Sequence, residues 1–237
     1  MVERPAMRRK GRRRIRRAVI YIAVTVVLVA LSVFLLYLSQ SGQEKPIILY
    51  VNQGNGLVNE SNFGTMLSFT SSNGFNTVFF QVYRAGALLF TGNELSYFAN
   101  QSHAQGLKIF FALYFTNSSQ SVPSSIFGLG EDGISLDVST LSISAQESLL
   151  TDLAPCHCRT AVTTTDMRSP LQPDLLVLET YGPAFQQYIR HGIIASVGVF
   201  ATSSLADYQS QFQYALSNSD GVMVFDYAGL LKSGYRA

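Results

Sequence analysis

The chain alternates between short apolar runs and longer amphipathic ones. IILYVN (47–52), TVFFQVY (77–83), KIFFALYF (108–115), GISLDV (133–138), TAVTTT (160–165), LLVLETY (175–181), IIASVGVF (193–200) and GVMVFDY (221–227) are rich in β-branched and aromatic residues. Their apolar character is nearly continuous, the mark of parallel strands covered on both faces. Helical periodicity falls between them: 60–75, which brings Phe63, Met66, Leu67 and Phe69 to one side, 93–107 behind an Asn cap, SAQESLLTDLA, GPAFQQYIRHG and SLADYQSQFQYALSNSDG. No good helix fits between the fifth and sixth strands, and too few residues follow Tyr227 for a full last one.

Strand–helix alternation repeated eight times over 47–237 predicts an α/β fold, a compact (β/α)8 TIM-type barrel with some helices missing. The competing arrangement is an open doubly wound sheet. It would place a glycine-rich phosphate turn and a helix directly after the first strand, and Asn52-Gln53-Gly54-Asn55-Gly56 is not followed promptly by such a helix.

Ahead of this domain, residues 18–38 form 21 positions without charge, Pro or Gly. At about 1.5 Å per residue such a helix crosses the roughly 30 Å core of a bilayer. Nine of the 17 Lys and Arg lie in residues 1–17, leaving 8 basic against 14 acidic residues beyond. Basic residues before a span stay in the cytoplasm, so the expected organisation is a cytoplasmic tail (1–17), a transmembrane helix (18–38), a linker (39–46) and an extracytoplasmic barrel (47–237). A cleaved signal peptide ending near Ser39-Gln40-Ser41-Gly42 is the alternative, against which the length of the apolar run speaks. The basic run abuts the span and is read as a topology signal with affinity for anionic lipid. The expected partners are therefore the lipid bilayer and a polysaccharide ligand, with no nucleic acid; oligomeric state carries no signal.

In a barrel, chemistry sits at the C-terminal strand ends. Those positions hold Tyr50, Asn52, Gln81, Tyr83, Arg84, Tyr114, Tyr181 and Tyr227 as candidate substrate-binding residues, and Asp137, Glu179 and Asp226 as candidate catalytic acids. Two-residue alternation lets each acid face the mouth if Ser135, Val177 and Val224, two residues earlier, face the barrel interior. A carboxylate inside an apolar strand is costly unless paired or used. Two of them across a sugar ring suit acid/base or nucleophilic glycoside hydrolysis. The structural alternative is that Asp137 or Asp226 caps a helix or pairs with Arg84. Asp166 lies on a loop of uncertain course.

Several segments resemble glycoside-hydrolase-like TIM barrels: GFNTVFFQVYRAGALLF (74–90) and SHAQGLKIFFALYF (102–115) their second and third repeats, DGISLD (132–137) their fourth-strand motif, and GVMVFDY their closing strand. LLVLET (175–180) is similar to the sixth-strand segment of the endo-α-1,4-polygalactosaminidase-like group. The resemblance implies Asp137 as the fourth-strand carboxylate, Glu179 as its partner and Asp226 as a residue shaping the site. The chain has no Trp and lacks long loops between strands, so a non-catalytic glycan- or protein-binding module on a degenerate barrel, and an envelope scaffold, stand beside the enzyme. No cofactor is expected. No metal is expected either, because Cys156 and Cys158, split by His157, lack four well-spaced ligands, with His103 and His191 isolated; loop cysteines or a local disulfide are the reading. Asn59, Asn100 and Asn117 begin glycosylation sequons.

Overall fold

Nine strands form one sheet that closes on itself. The computed structural model describes residues 44–54, 56–166, 172–181, 185–202 and 204–235, with helical residues 25, 26, 28 and 29. The chain divides into Met1–Glu44 and Lys45–Ala237. Most of the predicted span 18–38 lies outside the described residues, and among those described no helix is long and apolar enough to cross a membrane.

The barrel strands are β1 (Ile47–Val51), β2 (Thr77–Arg84), β4 (Lys108–Tyr114), β5 (Gly133–Asp137), β6 (Arg159–Thr164), β7 (Leu175–Glu179), β8 (Ile194–Gly198) and β9 (Gly221–Phe225). They pair in parallel in the order β1-β9-β8-β7-β6-β5-β4-β2, and β1 also pairs with β2, so the cylinder closes and the open-sheet alternative falls. The two-residue β3 (Ala87–Leu88) hangs antiparallel on the end of β2.

Helices α1 (Glu60–Ser72), α2 (Gly92–Ala104), α3 (Ile143–Asp152), α4 (Phe185–Tyr188), α5 (Leu205–Asn218) and α6 (Tyr227–Ser233) occupy the connections. Two differ from expectation. The cap of α2 is Thr91 rather than an Asn, closing a capping box with Glu94, whose carboxylate accepts from the Thr91 backbone at 2.6 Å. Of the helix expected over 182–192, residues 182–184 lie outside the described residues, Phe185–Tyr188 form α4 and residues 189–192 are not helical; no described residue between β6 and β7 is helical.

Two apolar layers result. Inside the barrel pack Ile48, Tyr50, Phe79, Phe110, Ala112, Ala161, Val177, Ile194 and Met223, while residues of opposite parity, among them Leu49, Val78, Phe80, Phe111, Ile134, Val162, Val197 and Val224, join the helices. This double burial is why the strands read as unbroken apolar runs. Each fully buried Phe or Ile in these layers contributes about 1.5–3 kcal/mol.

The N-terminal rim is stitched by a recurring contact. The residue just before a strand accepts from a backbone N–H at the start of the preceding barrel strand: Asn76 from Ile47 (2.9 Å), Asp132 from Ile109 (2.8 Å), Asp174 from Thr160 (2.7 Å) and Asp220 from Gly192 (2.8 Å). His103 and His191, isolated in sequence, join Asp132 and Asp220 at 2.9 and 3.0 Å. These pairs stand opposite the mouth. Cys156 and Cys158 form a disulfide across His157.

Candidate active site

The site is set by which residues the strand parity turns inward. On β5 the inward set is Gly133, Ser135 and Asp137; on β7 it is Leu175, Val177 and Glu179, with Val177 and Leu175 packed in the barrel interior. Asp137 is level with Thr163 of β6, which is level with Val177, so Glu179 stands two residues further up the wall, two strands away.

Asp137 is 5% exposed. The Ser139 hydroxyl donates to its Oδ1 at 3.1 Å, and the Ser139 amide and Tyr50 hydroxyl also hold it, yet burial wins and lifts its pKa to about 6. Glu179 rises to about 7, first through burial and then through the negative field of Asp137, against a hydrogen bond from Tyr181. Tyr181 donates to Glu179 Oε1 at 3.2 Å and meets Ser196 Oγ at 2.9 Å. Burial and the neighbouring Glu179 push its own phenol upward.

Below the pair a polar chain fixes Asp137. The Gln53 amide donates to Gln81 Oε1 at 2.8 Å, the other end of Gln81 bonds the Tyr50 hydroxyl, and Tyr50 reaches Asp137. Tyr50 is 1% exposed, wedged against Phe225 at 4.9 Å between ring centres. Both Tyr50 and Gln81, expected to touch substrate, are therefore buried supports of Asp137. Ser135 and Thr163 add buried hydroxyls with no hydrogen-bond partner among the described residues.

A cavity of about 780 Å³ opens at the C-terminal strand ends, with walls that include Asn52, Arg84, Phe200, Asp226 and Lys232. Two of its wall residues lie against rings near the acids. Arg84 lies 5.9 Å from the centre of the Tyr114 ring, and Tyr114 is level with Asp137. Phe200 packs edge-on against Tyr181 at 4.9 Å.

Two expected site residues, Tyr83 and Tyr227, stand elsewhere. Tyr83 belongs to the helix layer, stacked near Phe115 at 5.2 Å, because a register shift between Gln81 and Tyr83 inserts an extra residue and reverses the parity. The same shift aligns Arg84 with inward-facing Tyr114. Tyr227 opens α6 and is buried against Phe69. Asp226 follows the last residue of β9 and borders the cavity, where its Oδ1 caps α6 by accepting from the Gly229 amide at 2.9 Å, the structural role foreseen for it as the alternative to catalysis.

Phe200 was not among the sequence candidates. It is 67% exposed at the mouth, in a one-turn helix (Val199–Ala201) that follows β8. The signal was Gly198, where a Cβ would strike the rings of Tyr181 and Phe200. Ser196, two residues earlier on the same face, was also missed.

This architecture is shared with glycoside hydrolases of the TIM-barrel class. A solved structure described as a glycoside hydrolase is 9% identical, with 79% of this chain and 62% of that chain covered and a TM-score of 0.58. A GH113 β-mannanase from Alicyclobacillus acidocaldarius is also 9% identical, covering 77% of this chain and 86% of that one, TM-score 0.56. A further GH113 β-1,4-mannanase gives 10%, 77%, 87% and 0.55. At such identity the likeness is one of fold. The chain has the fold of a closed eight-stranded parallel TIM-type barrel. No protein-family model and no curated protein matches it.

Proposed function

We propose that the chain is a membrane-anchored glycoside hydrolase that cleaves a polysaccharide outside the cell. One observation carries this reading: Asp137 and Glu179, 42 positions apart in sequence, share one barrel mouth with both carboxyl groups held above their ordinary range. A buried acid pair of staggered pKa is the apparatus for protonating a leaving group while a second carboxylate stays ionised.

Glu179, the weaker acid, donates its proton to the glycosidic oxygen as the bond to the anomeric carbon breaks. Asp137 is the ionised partner. It attacks that carbon or takes the proton of the attacking water, according to the separation of the two carboxyl groups. Ser139 and Tyr50 hold Asp137 in place. The anchor rests on the uncharged run 18–38 and the basic tail before it.

The test is turnover of a glycan panel by the full chain and by Glu179→Gln and Asp137→Asn. Each substitution should lower the rate by about 10²–10⁴-fold with the melting transition retained. An unchanged rate in Glu179→Gln removes the assignment.

A further inference from the structure

The mouth carries a feature that general glycan cleavage does not use. The domain beyond the basic tail is acidic on balance, yet the cavity at the strand ends presents two cations, Arg84 and Lys232. Neither has a carboxylate within ion-pair distance among the described residues, where the ion pairs are His103–Asp132 and His191–Asp220. The one carboxylate lining the cavity, Asp226, accepts from the Gly229 amide.

Arg84 is placed there by the backbone. Unbroken alternation from Phe79 and Gln81 would turn Tyr83 inward and Arg84 outward; the register shift in β2 exchanges them. Its guanidinium then lies between two fixed surfaces. On one side is the Tyr114 ring at 5.9 Å; on the other is Gly54, where any Cβ would collide with it. Arg84 remains exposed at the rim, and its fork of N–H donors matches a carboxylate or phosphate. Lys232, in the last turn of α6, supplies a second, more mobile charge on the same cavity.

We propose that this mouth recognises an anionic saccharide unit, its carboxylate or phosphate bound by Arg84 and supported by Lys232. The inference deepens the hydrolase reading and rests on it for the claim that the ligand is a substrate. It distinguishes this chain from a mouth built for a neutral mannan. It also runs against a polymer of amino sugars, whose ammonium groups the two cations would repel.

Calorimetric binding to the full chain tests it, with four probes: an oligogalacturonate, a glycerol-phosphate polymer, mannohexaose and a glucosamine oligomer. At least one anionic probe should bind about tenfold or more tighter than the neutral and cationic ones, with affinity falling as salt is raised. Arg84→Gln should remove most of that preference, costing the anionic probes far more affinity than mannohexaose, Lys232→Gln should weaken it less, and Arg84→Lys should restore part of it. The oligogalacturonate and glycerol-phosphate arms separate a carboxylate from a phosphate source. Equal affinity for neutral and anionic probes, or equal losses for both in a folded Arg84→Gln protein, overturns the proposal while leaving glycan cleavage standing. Tight anionic binding without hydrolysis upholds the site and sinks the enzymatic reading; no binding to either anionic probe overturns the proposal, and the turnover panel alone decides the enzymatic reading.

Discussion

The Tyr181 hydroxyl bridges Glu179 Oε1 at 3.2 Å and Ser196 Oγ at 2.9 Å, tying the carboxylate of one strand to the hydroxyl of the next. The bridge opposes the burial that raises Glu179, because a donor favours the ionised acid. Tyr181 is thus the residue that limits how weak an acid Glu179 becomes.

Activity should follow a bell in pH. It requires Asp137 ionised and Glu179 protonated, so the optimum lies between about 6 and 7. Tyr181→Phe should move the alkaline limb to higher pH, since Glu179 loses the donor that favours its charged form. The acidic limb, set by Asp137, should shift less. A pH–rate profile of both proteins checks this, and an unmoved alkaline limb refutes the role of the bridge.

Stability should carry the same signature with the opposite sense from an ordinary salt-bridged acid. Both carboxyl groups bind protons more tightly folded than unfolded, so the folded state is favoured most below about pH 4 and loses stability as pH rises to about 7. Each group is responsible for roughly 2–3 kcal/mol of that loss. Glu179→Gln, which cannot ionise, should melt several °C higher than the parent at pH 8 and no higher at pH 4. Melting curves at the two pH values decide it.

Phe200 should matter for substrate and not for folding. An exposed ring beside Tyr181 offers a face to a sugar. Its removal from the surface should change stability by no more than about 0.5 kcal/mol. Phe200→Ala should raise KM by roughly two- to tenfold, about 0.5–1.5 kcal/mol of lost stacking, with little change in kcat. An unchanged KM removes Phe200 from the site.

The eight barrel strands were legible because each is a run of five to eight residues dominated by apolar, β-branched and aromatic side chains, and burial on both faces demands that composition. The same property hid their phase. In GISLD and LLVLE a polar residue marked the inward face, so the orientation of Asp137 and Glu179 was readable. In GVMVF every side chain is apolar or absent, so nothing showed that Met223 faces in and Val224 out. Tyr83 failed for another reason. Its displacement follows from pairing with β4, which no local pattern in TVFFQVYR reveals. The segment 182–192 read as a full helix by composition, yet among its described residues only Phe185–Tyr188 are helical, with Phe185 as the buried anchor.

The surplus residue in β2 lets a single strand serve two masters. Val78, Phe80, Val82 and Tyr83 are all committed to the outer hydrophobic shell, one more than strict alternation allows between Thr77 and Tyr83, and the segment still finishes with a cation at the rim. Specificity at the opening is in this way decoupled from the side chains that hold the cylinder to its helices: the rim can change its charge at position 84 without disturbing the packing beneath.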